Sequence, residues 1–304
     1  MATTGREAGG WPPQGGPGMR KLLVQLDADR LPSAFDRIVA VDAGADDVLS
    51  YGSVGPVDVT GLVHGAVFTR GPRDLHHTAL FIGGSGLEAA EGLLEAAKRA
   101  FFGPFRVSIL FDPNGCNTTA AAAVSKLVGA SEGGVAGRRA VVLAGTGPVG
   151  ARAAGLLARL GAEVTISSRD AGRGASAAER IAKRFGGRVE HVTLRDAAQA
   201  PELLRRAELV LSAGPAGVKM LSRDAWSGLG GLRAVADVNA VPPLGIEGIE
   251  ATDNGTRYAE TQAFGALGIG GRKMKAHKAA IGRLFERNDL VLDAEEVYDL
   301  AAGL

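Results

Sequence analysis

The sequence predicts an α/β protein made of two units, the second a doubly wound parallel sheet. Short apolar runs alternate with helix-period segments along nearly the whole chain. A glycine-patterned turn, Gly145-Thr146-Gly147-Pro148-Val149-Gly150, sits where one such run passes into a helical segment. Gly, Ser and Ala then dominate residues 129–137, where the alternation pauses and a unit boundary is expected. A length of 304 residues agrees, because single domains hold about 100–200 residues before the core splits.

Residues 1–18 are rich in Gly and Pro without periodicity and read as a flexible leader, with Met19 a candidate start. Residues 20–27 form an apolar run expected as the first strand. Pro32 and Ser33 open a helix, since proline fits a first turn and serine supplies a cap. Strands at 79–82 and 106–111 and helices at 87–101 and 117–128 complete the first unit. In the second, a strand over 138–144 precedes a helix over 149–160, a strand over 163–167 and a helix over 171–185. Further strands are expected near Val189, Leu209 and Ala234, and right-handed crossovers would join them into one parallel sheet. The tail from Lys273 reads as two helices packing back on the first unit. The expected division is a substrate domain at 19–133 plus 273–304 and a nucleotide domain at 134–272, with the active site in the cleft between them.

Composition narrows the partners. Lys and Arg total 34 against 33 Asp and Glu, a formal charge of +1, so no global field draws nucleic acid or an acidic membrane. Apolar stretches stop well short of the ~20 residues that span a bilayer. The single cysteine, Cys116, has no internal disulfide partner, and no secretory pattern opens the chain, so a cytoplasmic location is expected. His64, His76, His77, His191 and His277 are scattered without metal-ligand spacing, and no metal is expected. Gly84-Ser85-Gly86 lacks the spacing of a nucleophile elbow, which argues against a hydrolase.

The glycine turn is a weak motif alone in a chain with 45 glycines. Its position between strand and helix gives it meaning. Glycines there permit a tight turn and let backbone N–H groups at a helix N-terminus meet a pyrophosphate, the arrangement of a Rossmann-type dinucleotide site. Gly145, Thr146, Gly147, Pro148, Val149 and Gly150 are therefore expected to bind the cofactor. About 20 residues on, where an acid would bind the ribose 2′-hydroxyl of NAD, the chain reads Ser167-Ser168-Arg169. Two hydroxyls and a guanidinium suit a 2′-phosphate that an acid would repel, so NADP is the expected cofactor, with Arg173 a second candidate cation. A competing reading pairs Arg169 with Asp170 on a solvated loop. The turns at Ala213-Gly214 and Asn239 follow later strands and are expected to flank the nicotinamide.

Six segments carry a resemblance when taken in order. They are Gln25-Leu26-Asp27-Ala28-Asp29, Pro32-Ser33-Ala34-Phe35-Asp36, Phe102-Gly103-Pro104-Phe105-Arg106-Val107, Asn114-Gly115-Cys116-Asn117-Thr118-Thr119-Ala120, the glycine turn itself, and Phe264-Gly265-Ala266-Leu267-Gly268-Ile269-Gly270-Gly271. Together the chain resembles the bacterial methylene-tetrahydromethanopterin dehydrogenases of one-carbon metabolism from Met19 to its end. The resemblance implies hydride transfer from the N5,N10-methylene group of a tetrahydromethanopterin-type pterin to NADP, in formaldehyde oxidation, by a homotrimer. It also implies a catalytic role for Lys273, expected at the mouth of a helix where a cation is electrostatically poor. Asp36 is expected as a pterin contact, on the resemblance and on its place after the first strand. Asn117 and Thr118 open a helix and are expected either to contact substrate or to cap. The leader and Arg272, where an apolar residue is common, depart from the pattern.

Two alternatives stay open at this stage. Some members accept tetrahydrofolate, so a methylenetetrahydrofolate dehydrogenase is one. The cyclohydrolase-bearing type carries Tyr-x-x-x-Lys, whereas Tyr51 is followed by Val54 and Gly55 where the lysine would stand. A non-catalytic NADP-binding sensor is the other, since a fold does not fix a function. Its expected mark is a degraded first unit, and the polar motifs there are intact.

Overall fold

A computed structural model describes residues 18–304; the leader expected at the N-terminus lies outside the described residues except for Gly18. The first apolar run becomes β1 (Leu22–Asp27), buried from Leu23 onward. Ser33 then caps α1 (Ala34–Asp42) by accepting from the Asp36 N–H, which satisfies one of the orphan donors of a first turn. Next come β2 (Asp47–Tyr51) and α2 (Pro56–Val67). Neither was expected from the sequence. β2 is a short edge strand of mixed exposure, and α2 is built from valines, Thr60 and two glycines that are poor helix formers. Burial of Val59, Val63, Ala66 and Val67 overrides that propensity.

β3 (Thr78–Gly83), α3 (Leu87–Ala100), β4 (Ser108–Phe111) and α4 (Cys116–Gly129) follow as the alternation requires. The second unit holds β5 (Arg139–Leu143), α5 (Pro148–Arg159), β6 (Glu163–Ser168), α6 (Ala171–Phe185), β7 (Val189–Thr193), α7 (Ala200–Leu204), β8 (Leu209–Ser212) and β9 (Ala234–Asp237). A hairpin of β10 (Asn254–Tyr258) and β11 (Thr261–Phe264) ends it. The tail forms α8 (Ala266–Arg283), β12 (Val291–Leu292) and α9 (Ala294–Ala302).

Two sheets result. The first runs β12-β4-β3-β1-β2 with every pairing parallel. The second runs β10-β11-β9-β8-β5-β6-β7 and is parallel except for the antiparallel edge pair β10–β11. The tail returns to the first sheet through β12, which pairs with β4. Between the sheets lies α4, packed on α5, α8 and α9. Its run of Ala120, Ala121, Ala122 and Ala123 is fully buried, and small side chains there let helices approach closely. One apolar core therefore continues from Leu23 and Phe81 of the first sheet through α4 to Val142 and Leu209 of the second.

The tail corrects one expectation. α8 begins at Ala266, so Lys273 stands in the helix interior rather than at its mouth. Gly268, Gly270 and Gly271 suggest a loop, yet a Cβ on Gly268 would fall on the Asp253 carbonyl oxygen, so that glycine serves close packing instead.

Candidate active site

At the cofactor end, each fingerprint glycine does a different job. A Cβ on Gly145 would lie 2.6 Å from the Ile166 Cβ, so this glycine lets the turn pass over β6. One on Gly150 would lie 2.8 Å from the Ala144 carbonyl oxygen, so it lets α5 pack on the turn. At Gly147 the nearest atom would be 3.7 Å away, leaving open space for a ligand. Pro148 occupies the first helical position, where its missing N–H costs nothing. The first helical bond runs from the Ala151 N–H to the Gly147 carbonyl at 2.8 Å, so the amides of Val149 and Gly150 precede it and are free for an anion.

A cleft of about 490 Å³ opens beside this turn, walled by Thr146, Gly147, Ser167, Ser168, Arg169 and Arg173. Ala213 and Gly214 line its other side. Ser167 Oγ accepts from the Ala144 N–H at 3.0 Å, holding a residue whose φ of 54° is uncommon outside glycine. Ser168 Oγ accepts from the Asp170 N–H at 3.3 Å, and both hydroxyls keep a proton to donate. Asp170 caps α6 by accepting from the Arg173 N–H at 2.7 Å. Among the described residues neither Arg169 nor Arg173 has an acidic partner, so the Arg169–Asp170 pair of the competing reading does not form.

Asn239 is engaged within its own loop: its Oδ1 accepts from the Val241 N–H at 2.9 Å and its Nδ2 donates to the Pro243 carbonyl at 3.2 Å, so the side chain shapes the turn that follows β9. Buried Asp237 holds the same loop, accepting from the N–H groups of Asn239 and Ile246.

On the other side, the carboxyl ends of β1, β3 and β4 gather a polar cluster. Asp27 accepts from the Asp29 N–H, and Asp29 accepts from the Ser85 amide and hydroxyl, both at 2.9 Å. These bonds brace the loops after β1 and β3. After β4, fully buried Asp112 accepts from the N–H groups of Asn117 and Thr118 at 2.8 and 3.1 Å and from the Thr118 hydroxyl at 2.7 Å. Asn117 Nδ2 donates to the Phe111 carbonyl and to Asp293, while its Oδ1 accepts from Arg152 at 3.2 Å. Neither Asn117 nor Thr118 is exposed, and all their side-chain polar atoms are bonded within the chain. Direct substrate contact by these two residues thus gives way to a supporting role that fixes Asp112 and the turn before α4.

That turn holds Lys273. Asn114 and Gly115 both adopt left-handed φ, 52° and 64°. A Cβ on Gly115 would lie 2.5 Å from the Lys273 Nζ, so a larger residue there would displace the lysine tip, and the positive φ itself favours glycine. The same Nζ lies 5.7 Å from the centroid of the Phe35 ring. One turn further along α8, His277 is fully buried against Phe81, with ring centroids 5.9 Å apart, and neither ring nitrogen has a partner. Burial lowers its pKa, so a neutral ring sits next to Lys273 and adds no second cation.

Asp36 is the buried acid of this cluster. Burial, reinforced by the charge of Asp112 and opposed by Ser33 and Lys273, pushes its pKa up to about 7 from an ordinary 3.8. Between those values the folded chain holds a proton that the unfolded chain releases, so stability falls as pH rises from about 4 to 7 and then levels. At about 1.4 kcal/mol per pKa unit the loss approaches roughly 4 kcal/mol. Asp36→Asn, neutral throughout, should then stabilise the fold by a few kcal/mol at pH 8 and change little near pH 4. Urea midpoints at the two pH values measure this, and an equal effect at both would contradict it.

Arg152 joins the two halves. It sits on α5 just past the fingerprint, is nearly buried, and donates to Glu91 of α3 at 2.9 Å as well as to Asn117. Sequence reading missed Asp112, Arg152 and His277. Asp112 before Pro113-Asn114-Gly115 carried the one available signal, an acid at the turn that leads into a helix.

A family model described as methylene-tetrahydromethanopterin dehydrogenase, N-terminal, matches residues 34–114. A Methylorubrum extorquens protein named bifunctional protein MdtA is 49% identical over 282 residues, covering 93% of this chain and 98% of the relative. An NAD(P)-dependent methylenetetrahydromethanopterin dehydrogenase of the same organism is 34% identical, covering 94% and 99%. Among solved structures, the shikimate 5-dehydrogenase of Listeria monocytogenes, crystallised with shikimate and NAD, covers 92% of this chain and 96% of its own. It superposes with a TM-score of 0.53 at 13% identity, which speaks to fold alone.

Proposed function

The chain belongs to the methylene-tetrahydromethanopterin dehydrogenase family, and on that premise we propose that it oxidises N5,N10-methylene-tetrahydromethanopterin to the methenyl form by direct hydride transfer to NADP. The observation that carries this reading is Lys273, held by Gly115 and Phe35 beside Asp36, in a cluster that Arg152 ties to the dinucleotide fingerprint. The open face of Gly147, the free amides of Val149 and Gly150 and the unpaired guanidinium of Arg169 fit an NADP molecule. Bound there, the cofactor supplies the hydride acceptor.

Loss of hydride from a carbon between two nitrogens leaves an amidinium-like cation and releases no proton, so the residues need only position and polarise. Lys273 donates a hydrogen bond to the pterin ring and fixes its orientation; an ammonium pressed on the reacting carbon would oppose the growing positive charge. Ionised Asp36 favours that charge. The packed turns after β1 and β4 keep bulk water from the methenyl product. Assembly as a homotrimer in the cytoplasm completes the proposal, with a light-scattering mass of one chain as the contrary result.

Formation of NADPH from methylene-tetrahydromethanopterin, run side by side with methylenetetrahydrofolate, tests the assignment. Faster turnover of the methanopterin substrate is expected. Preference for the folate would move the chain to the folate reading, and cofactor binding without turnover would make it a sensor.

A further inference from the structure

Arg152 is the only lysine or arginine among the described residues that is buried, at 4% exposure. It stands on α5 two residues after Gly150, the last glycine of the fingerprint. Its partners both belong to the first unit. Nη2 donates to Glu91 of α3 at 2.9 Å and Nε donates to Asn117 of α4 at 3.2 Å. The guanidinium also lies 5.9 Å from the centroid of the Phe111 ring, at the end of β4. Two bonds from different nitrogens, with a ring beside them, fix the plane of the group. Other ion pairs cross between the units, among them Arg159 to Asp299 at 3.7 Å and Arg184 to Asp293 at 2.7 Å, but their arginines are 42% and 29% exposed.

Burying a guanidinium does little for stability, because desolvation offsets most of the attraction and an apolar side chain of similar volume often serves as well. What this one supplies is a fixed separation. Asn117 stands two residues after Gly115, the glycine against which the Lys273 Nζ rests, and the N–H groups of Asn117 and Thr118 hold Asp112. A short chain of bonds thus runs from the dinucleotide turn through Arg152 and Asn117 to the turn that carries the lysine. Hydride transfer tolerates little displacement, since a shift of about 1 Å set up away from the chemistry can cost about 10²-fold in rate. We propose that Arg152 is a positioning residue for the hydride step, setting the nicotinamide end against the pterin end through Asn117. This rests on the dehydrogenase reading and adds to it a residue that acts through another side chain.

Arg152→Met, which keeps an apolar stem and removes both bonds, tests it in a single turnover with protein in saturating excess over methylene-tetrahydromethanopterin and NADP saturating. Under those conditions the rate constant for NADPH formation does not depend on how much of the protein is folded. It should fall at least about tenfold, while KM for NADP stays near wild type. Arg159→Met cuts a cross-unit ion pair on the same helix and should react as the wild type does. Arg152→Lys decides the matter if the first variant does not fold: it keeps the charge beside Glu91 without the planar fork and should also slow the step. A wild-type rate constant in folded Arg152→Met or in Arg152→Lys overturns the proposal, as does an equal loss in Arg159→Met. Amide hydrogen exchange reads the same link without turnover. With NADP bound, exchange across residues 112–118 should quicken at least about threefold in Arg152→Met and stay unchanged in Arg159→Met. Wild-type exchange in Arg152→Met overturns the link. Should the wild type form no NADPH, the dehydrogenase reading fails by itself, and the exchange still decides whether Arg152 holds that turn.

Discussion

Lys273→Ala should lower kcat by at least about 10²-fold, the scale of losing a positioned polar group in an active site, while KM for NADP and thermal stability stay near wild type. The separation follows from where the lysine stands. It lies in the interior of α8, is half-buried and forms no ion pair among the described residues, so its removal breaks no salt bridge. Alanine is the best helix former and leaves the helix intact. The loss falls on the cluster at Gly115 and Phe35, away from the dinucleotide cleft. Lys275→Ala, at an exposed position on the same helix, is the control and should leave kcat unchanged. Steady-state kinetics with both pterins give the answer; a near-normal kcat on each would return Lys273 to an ordinary surface lysine.

Arg169→Ala should raise KM for NADP by about one to two orders of magnitude and hardly affect NAD. An ionic hydrogen bond to phosphate contributes roughly 1.5–3 kcal/mol, which corresponds to that range. Such a contact needs a guanidinium not already neutralised. Asp170, its immediate neighbour, is spent on the N-terminus of α6, which leaves Arg169 free at the cleft wall. Arg173→Ala should act in the same direction. Equal KM values for NADP in wild type and Arg169→Ala would mean that this loop does not select the cofactor.

Much of this architecture was legible in the residues because two periodicities are strong. Buried parallel strands such as β1, β3 and β5 are nearly continuous apolar runs, and α3 and α6 carry clear apolar stripes. The fingerprint was readable for the same reason, since its glycines answer to local geometry at Ile166 and Ala144. β2, α2 and the β10–β11 hairpin were hidden. Their residues have weak or contrary propensity and are held by tertiary packing, which a local pattern does not reveal. The start of α8 was hidden by glycines that look like a loop, of which Gly268 serves close contact with Asp253.

The site divides along the same line. Lys273 and Asp36 were found through a resemblance, whereas Arg152 and His277 act through partners far away in sequence, and Asp112 through the nearby Asn117 and Thr118 in the turn before α4. Asn117 illustrates the difference. Its residue type suits either a ligand or a cap, and only the bonds to Phe111, Asp293 and Arg152 decide that it faces inward.

The central claim is that hydride passes directly from the methylene carbon to the nicotinamide in this cleft, with no proton exchanged on the way. Methylene-tetrahydromethanopterin carrying two deuterium atoms on that carbon, incubated with NADP and the purified chain in ordinary water, tests it most directly. NADPH with one deuterium at the reduced nicotinamide carbon, and a methenyl product retaining the other, is the predicted result; NADPH without deuterium would contradict it.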